Sequence, residues 1–199
     1  MPISPGTVLA ADSLDGVPFD HVSDRGVPPG SWLHFYVHDI RFLRFLEAPD
    51  NWLLRIRRFA GVVGMDNSVY FDLPLAEQKH SVYLNRVADL WLHERGIPHV
   101  PNVSWGDWRS FAWCFDGVEP GKTVAVSSHG CIGTDEDKAR FLDGLAAMVS
   151  RLNPPSVVFH GRVFPRAAAL LSEAKIRIMP LRSRIERHLS RKEASHGQE

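Results

Sequence analysis

Short β-rich apolar runs alternate with segments of helical period, which predicts an α/β fold: a mainly parallel sheet of five to six strands with helical crossovers. The sheet is either open and doubly wound or curled into an incomplete TIM-like barrel. Three observations carry this reading. The run at residues 59–65 has AGVVG at its centre and is apolar on both faces, as strands covered on both sides are. The stretch from Pro74 to Gly96 puts Leu75, Val82, Leu84, Val87, Leu90 and Trp91 on one helical face, with proline at its start and glycine at its end. Ile97 follows at once, the helix-to-strand spacing of a βαβ unit.

In chain order, residues 32–37 form the first predicted strand, and HDIRFLRFLEAP then spaces Ile40, Leu43 and Leu46 helically until Pro49 stops it. Trp52, Leu53, Ile56 and Phe59 suggest a second short helix that leads into strand two at 59–65. After the long helix, residues 97–103 form strand three and residues 122–127 strand four, with a turn-rich stretch holding three tryptophans between them. Thr134 and Asp137 resemble a capping box, and Phe141, Leu142, Leu145, Met148, Val149 and Leu152 continue as an amphipathic helix. Pro154 and Pro155 end it. Residues 156–159, 165–174 and 176–179 then read as strand, helix and a short sixth strand.

The 199-residue chain, 44% hydrophobic and 23% charged, suits one globular core. No apolar stretch approaches the roughly 18 residues of a membrane span, so no membrane partner is expected. The N-terminus lacks the basic and apolar regions of a signal peptide. A cytoplasmic protein with Cys114 and Cys131 reduced, and Cys131 buried, is therefore expected. Twenty-three basic residues balance 23 acidic ones, which argues against a global nucleic-acid field. The balance is uneven along the chain. Residues 1–30 form an acidic, Pro/Gly-rich arm expected to be loosely ordered or laid over the surface, residues 31–180 a single α/β domain, and residues 181–199 a basic C-terminal helix or tail. In that tail Arg182, Arg184, Arg187, Arg191 and Lys192 are candidate nucleic-acid contacts.

In either sheet architecture, the loops leaving the C-terminal ends of the strands converge on one cleft. Here every predicted strand releases polar groups. Asp66 follows an apolar strand directly, where partial burial would suit a carboxyl to acid–base work; an Asx-turn is the structural alternative. Asp107, between two indoles, and His160, at the end of strand five, complete the catalytic candidates. Asp39, Asn102, Ser104, Trp105, Ser128 and His129 are the substrate-binding candidates, with Trp105 as a stacking wall.

Sharper motifs fail on spacing or charge. The loop SSHGCIGTDED could cradle phosphate, but the helix after it opens on carboxylates and no GxxxxGK[ST] is present. Cys131 or Ser128 beside His129 or His160 could form a nucleophile pair, yet there is no GxSxG elbow. Ten histidines include no HExxH and no paired Cys/His spacing, so no metal site is assigned and no cofactor is identified.

Five motifs together resemble the DUF4417 family of bacterial, archaeal and phage proteins over roughly residues 31–165. They are Asp66 to Ser68, Asp72 to Pro74, Val100 to Trp105, Cys114 to Gly117 and Ser127 to Gly130. Met65 and Asn67 stand where the family pattern has proline and phenylalanine. The resemblance brings no reaction, and it implies an association with phages and mobile elements in which a role near nucleic acid is expected. The residues thus point to an enzyme with a carboxylate-centred cleft, a hydrolase or transferase acting on a nucleotide, nucleic-acid or glycosidic substrate. The alternative is a non-catalytic nucleic-acid-binding or partner-binding protein of a phage or mobile element. Oligomeric state is left open.

Overall fold

A computed structural model describes residues 6–183. Seven strands pair in parallel in the order β4-β3-β2-β1-β7-β6-β5. They are β1 (Leu14–Pro18), β2 (Trp32–His34), β3 (Gly61–Val63), β4 (His99–Val100), β5 (Val124–Ser127), β6 (Ser156–His160) and β7 (Arg177–Arg182). The outermost strands meet as well. An isolated parallel bridge joins Asn102 to Ala125, where Ala125 N–H donates to Pro101 C=O and Val103 N–H to Ala125 C=O, each at 2.9 Å. Read around this ring the strands fall in chain order. The sheet is therefore a nearly closed TIM-like barrel rather than an open doubly wound sheet.

Strand alternation explains both sides of the wall. Leu14, Trp32, Val63, Val100, Ala125, Val158, Met179 and Leu181 pack together inside, at least one from every strand. Gly61 leaves room for the Trp32 indole, since a Cβ there would come within 2.6 Å of the ring. Outward-facing Val62 packs with Ala88 and Leu92 of α3 (Leu75–Glu94). Outward-facing Val124, Val126 and Phe159 pack with Phe141, Leu145 and Met148 of α4 (Asp135–Leu152). The short α1 (Leu43–Glu47) and α2 (Leu53–Ile56) fill the β2-to-β3 connection, and α5 (Pro165–Glu173) the connection from β6 to β7.

The predicted helices recur at shifted ends. The Thr134–Asp137 capping box is formed in both directions, and Asn153 closes α4 in the left-handed conformation before the two prolines. Among the described residues no helix is long and apolar enough to cross a membrane.

The expectation of an N-terminal segment loosely ordered or laid over the surface is corrected at Leu14–Pro18. This segment is β1, placed between β2 and β7, and it brings the strand count to seven. Its sequence, LDGVP, hides the strand because Gly16 faces inward, where a Cβ would lie 2.9 Å from His34 and 3.1 Å from Leu181. Phe19 and Val22, just after it, are buried in the outer core. The last strand also runs further than expected, pairing Arg182 with Asp15. Arg184, Arg187, Arg191 and Lys192 lie outside the described residues.

Candidate functional site

The C-terminal ends of the strands surround a cleft of about 1170 Å³. Asp66, three residues past the end of β3, stands half-buried in it. Asn102 Nδ2 donates to Asp66 Oδ1 at 2.8 Å, and the Tyr36 hydroxyl donates to Asn102 Oδ1 at 2.8 Å. Burial pushes the Asp66 carboxyl up to about 6; the Asn102 hydrogen bond opposes the rise and the Asp39 charge adds to it. Burial first, then Asp66 and Asp89, hold the Tyr36 hydroxyl well above its usual range, so it stays a donor.

Asn102 is itself held from behind. Its C=O accepts from Arg86 Nη1 at 2.9 Å, and the same nitrogen pairs with Asp89 at 3.1 Å in a fully enclosed ion pair. Asp89 fits against the barrel because position 64 is glycine; any Cβ there would collide with Asp89 Oδ1.

Across the cleft, the Asp39 carboxylate accepts from both the backbone N–H and the hydroxyl of Ser68, each at 3.1 Å. This ties the segment after β2 to the segment after β3. Below, Tyr36 stacks on His160 with centroids 4.3 Å apart and planes 9° from parallel. His160 Nδ1 lies 2.9 Å from Ser127 Oγ, which also accepts from the His129 N–H. His34 completes the group, its ring 5.6 Å from that of His160. Burial, reinforced by His160, drives the His34 pKa down to about 3, so it is a neutral ring inside the barrel.

Most of the residues singled out from sequence converge here. Asp39, Asp66, Ser104, Trp105 and His129 line the cleft. Asn102 and His160 sit immediately behind its walls, bonded or stacked to Asp66 and Tyr36 as described. Ser128 is buried, its hydroxyl donating to Arg162 C=O at 2.9 Å to hold the loop after β6. Asp107 turns away to Arg109, whose side-chain bonds hold its carboxyl below the usual range. Cys131 is exposed and lies on the loop lining the cleft, which corrects the expectation of burial, whereas Cys114 is buried in the outer core. Desolvation, then Asp66 and Asp137, push the Cys131 thiol up, away from a nucleophile's range. Among the described residues no three His, Cys, Asp or Glu side chains are grouped to hold a metal ion.

Ser68 and Ser127, which leave predicted strand ends, also line the cleft, and Tyr36 and Arg140 belong to it although the sequence did not single them out. Tyr36 had a signal: it keeps the inward parity of its strand, after Trp32 and His34. Arg140 lies on α4, far along the chain, and only folding brings its guanidinium over Phe71 at 3.8 Å.

The family model for the domain of unknown function DUF4417 matches residues 11–176. The chain belongs to this family. The family match takes in β1, which the motif resemblance had left out. The chain is also similar to the Gene 1 protein of Mycobacterium phage L5, 30% identical over 140 residues, covering 70% of this chain and 61% of that protein. It is 32% identical over 134 residues to the Gene 1 protein of Mycobacterium phage D29, covering 67% of this chain and 50% of that one. The match thus spans between a half and three fifths of these phage proteins. The relatives support the association of the DUF4417 fold with phages and mobile elements. No solved structure matches.

Proposed function

We propose that the cleft is the active site of an acid–base enzyme, a hydrolase or transferase, in which Asp66 gives and takes the proton. One observation carries this reading: a carboxyl at the C-terminal end of a barrel strand, raised to about 6 and aimed by Asn102 into an open cleft. A carboxyl of that pKa is part protonated near neutrality, so it can serve as either acid or base. Asp39, Ser104, Trp105 and His129 contact the substrate. Asn102 and Tyr36 position Asp66, and His160 supports Tyr36 by stacking. The substrate is a nucleotide, nucleic acid or glycoside. Cys114 and Cys131 are free thiols, in keeping with the reducing cytoplasm where this reading places the protein.

The test has two parts. A 13C-NMR titration of the Asp66 carboxyl is expected to give a midpoint near 6, and a midpoint near 4 would remove the basis for the proposal. Wild-type protein and Asp66→Asn are then incubated with nucleotides, oligonucleotides and oligosaccharides, and products are read by mass spectrometry. Asp66→Asn is expected to lose about 10²- to 10⁴-fold in turnover. Equal turnover by the two proteins overturns the assignment. Salt-dependent DNA retention without turnover would instead favour non-catalytic binding through Arg182 and the C-terminal cations.

A further inference from the structure

The charges around the cleft discriminate between substrate classes. Arg41 faces Asp20 at 3.8 Å, Arg140 is paired with Asp137 at 3.0 Å and Glu136 at 3.3 Å, and nearby Arg109 is paired with Asp107 at 2.8 Å. Asp39 and Asp66 accept hydrogen bonds instead from neutral donors, Ser68 and Asn102. Four aspartates therefore line the cleft against two arginines. A phosphate chain entering it would meet carboxylates whose charge is uncompensated and cations already engaged, whereas strand-binding grooves are positive.

Two further features point to a ring-bearing, hydroxyl-rich ligand. Tyr70, 59% exposed on the loop that follows β3, lines the cleft together with Trp105 on the loop that follows β4, while the Phe71 ring, also in the lining, is covered on one face by Arg140. Arg109 fastens these loops together by donating to Phe71 C=O at 2.9 Å. Exposed aromatic faces beside a cleft stack on sugar rings or on bases, and here the charge pattern disfavours nucleic acid. In the cleft wall, Ser104 Oγ is buried with no hydrogen-bond partner, a neutral group suited to a ligand hydroxyl.

We infer that the cleft binds a neutral oligosaccharide, with sugar rings stacked on Tyr70 and Trp105, which line it, and hydrolyses a glycosidic bond between Asp66 and Asp39. This rests on the acid–base reading of Asp66. The Asp66 carboxyl passes its proton to the glycosidic oxygen as the bond to the anomeric carbon breaks, and the oxygen leaves with the electron pair as a hydroxyl. Water supplies the oxygen that bonds to the anomeric carbon, and its proton goes to Asp39. One water is consumed, and proton exchange with solvent restores both carboxyls.

The experiment uses the full chain with neutral gluco-, xylo-, galacto- and N-acetylglucosamine hexamers, and a twelve-residue oligothymidylate as competitor. Binding is read by saturation-transfer NMR and calorimetry, and cleavage by new reducing ends. At least one hexamer is expected to bind and be cut, and Tyr70→Ala to weaken its binding about tenfold. Asp66→Asn and Asp39→Asn are expected to bind it and release few or no reducing ends, with circular dichroism reporting that each variant is folded. Binding of the oligothymidylate alone, or of no hexamer, overturns the saccharide inference and leaves the role of Asp66 standing. A hexamer that Asp66→Asn cuts as fast as wild type overturns the acid–base reading itself.

Discussion

The Tyr36 hydroxyl and Asn102 Oδ1 are 2.8 Å apart, and this bond turns the Asn102 amide so that its NH2 faces Asp66. Tyr36 can hold that position because its ring is stacked on His160. The orientation of a residue on the β4–β5 side of the barrel is thus fixed by two others, from the β2 and β6 segments.

Removing the bridge tests that geometry. The Asn102 hydrogen bond lowers the Asp66 pKa against the rise caused by burial. Asn102→Ala is therefore expected to move the Asp66 midpoint above 6 in a carboxyl NMR titration. It also leaves the buried Tyr36 hydroxyl without its acceptor, while the bond from Arg86 to the backbone C=O of residue 102 survives, and a stability loss of about 1–3 kcal/mol is expected. A midpoint that stays put or falls would show that Asn102 does not donate to the carboxylate.

Asp66 makes the folded state sensitive to pH in a definite direction. Its folded pKa, about 6, is above the ordinary 3.8. Below pH 4 both folded and unfolded chains keep the proton and nothing is lost. Between pH 4 and 6 the unfolded chain releases its proton more readily, so stability falls as pH rises. At pH 7.5 the cost is about 3 kcal/mol. Asp66→Asn is expected to raise stability by up to that amount at pH 7.5 and to change it little at pH 4, as measured by urea unfolding at the two pH values. An equal effect at both would refute the linkage.

His34 acts with the opposite sign. Its folded pKa, about 3, lies below the ordinary 6.5, so the stability it confers is complete above pH 6.5. That stability is lost as pH falls toward 3, because only the unfolded ring takes up a proton readily. At pH 4.5 the loss is about 3 kcal/mol. His34→Phe keeps a ring of similar size among Gly16, Tyr36 and His160 and does not titrate. The expected result is a shallower loss of stability between pH 6.5 and 4.5. An unchanged slope would mean that His34 is charged in the folded state or is not buried.

The alternation of apolar strands and helices was enough to read six of the seven strands, because β2 to β7 carry runs that no solvent-exposed segment would. β1 was not legible: Gly16 replaces the side chain that would have marked it, for a steric reason visible only once His34 and Leu181 are in place. Barrel closure was illegible too, since it rests on backbone bonds around Pro101 and Ala125 that any side chains could accompany. The cleft was partly legible. Asp66, Asp39 and His129 follow strand ends, and barrel topology sends all such residues to one rim. Asp107 follows a strand as well, but Arg109, two residues on, captures it, a local pairing that strand order does not report. The two indoles flanking Asp107 could be read as a stacking surface or as core filling, and only their exposure decides, since Trp108 is exposed and Trp105 lines the cleft.

Gly144 shows how the outer layer shapes the cleft. It lies inside α4, where alanine would ordinarily gain about 1 kcal/mol of helix propensity. A Cβ at this position would overlap the Trp105 indole at its Nε1 edge. Phe115 and Phe141 flank that indole, with centroids 6.2 and 5.4 Å away, so it cannot retreat sideways. Its remaining escape is into the cleft that it lines. Overpacking costs about 1–3 kcal/mol, against that gain of about 1 kcal/mol. Gly144→Ala is therefore expected to lower stability by up to about 2 kcal/mol in urea unfolding and to shift the Trp105 indole N–H resonance. A stabilised variant with that resonance unmoved would show that the indole has room behind it, and that α4 does not set the width of the cleft.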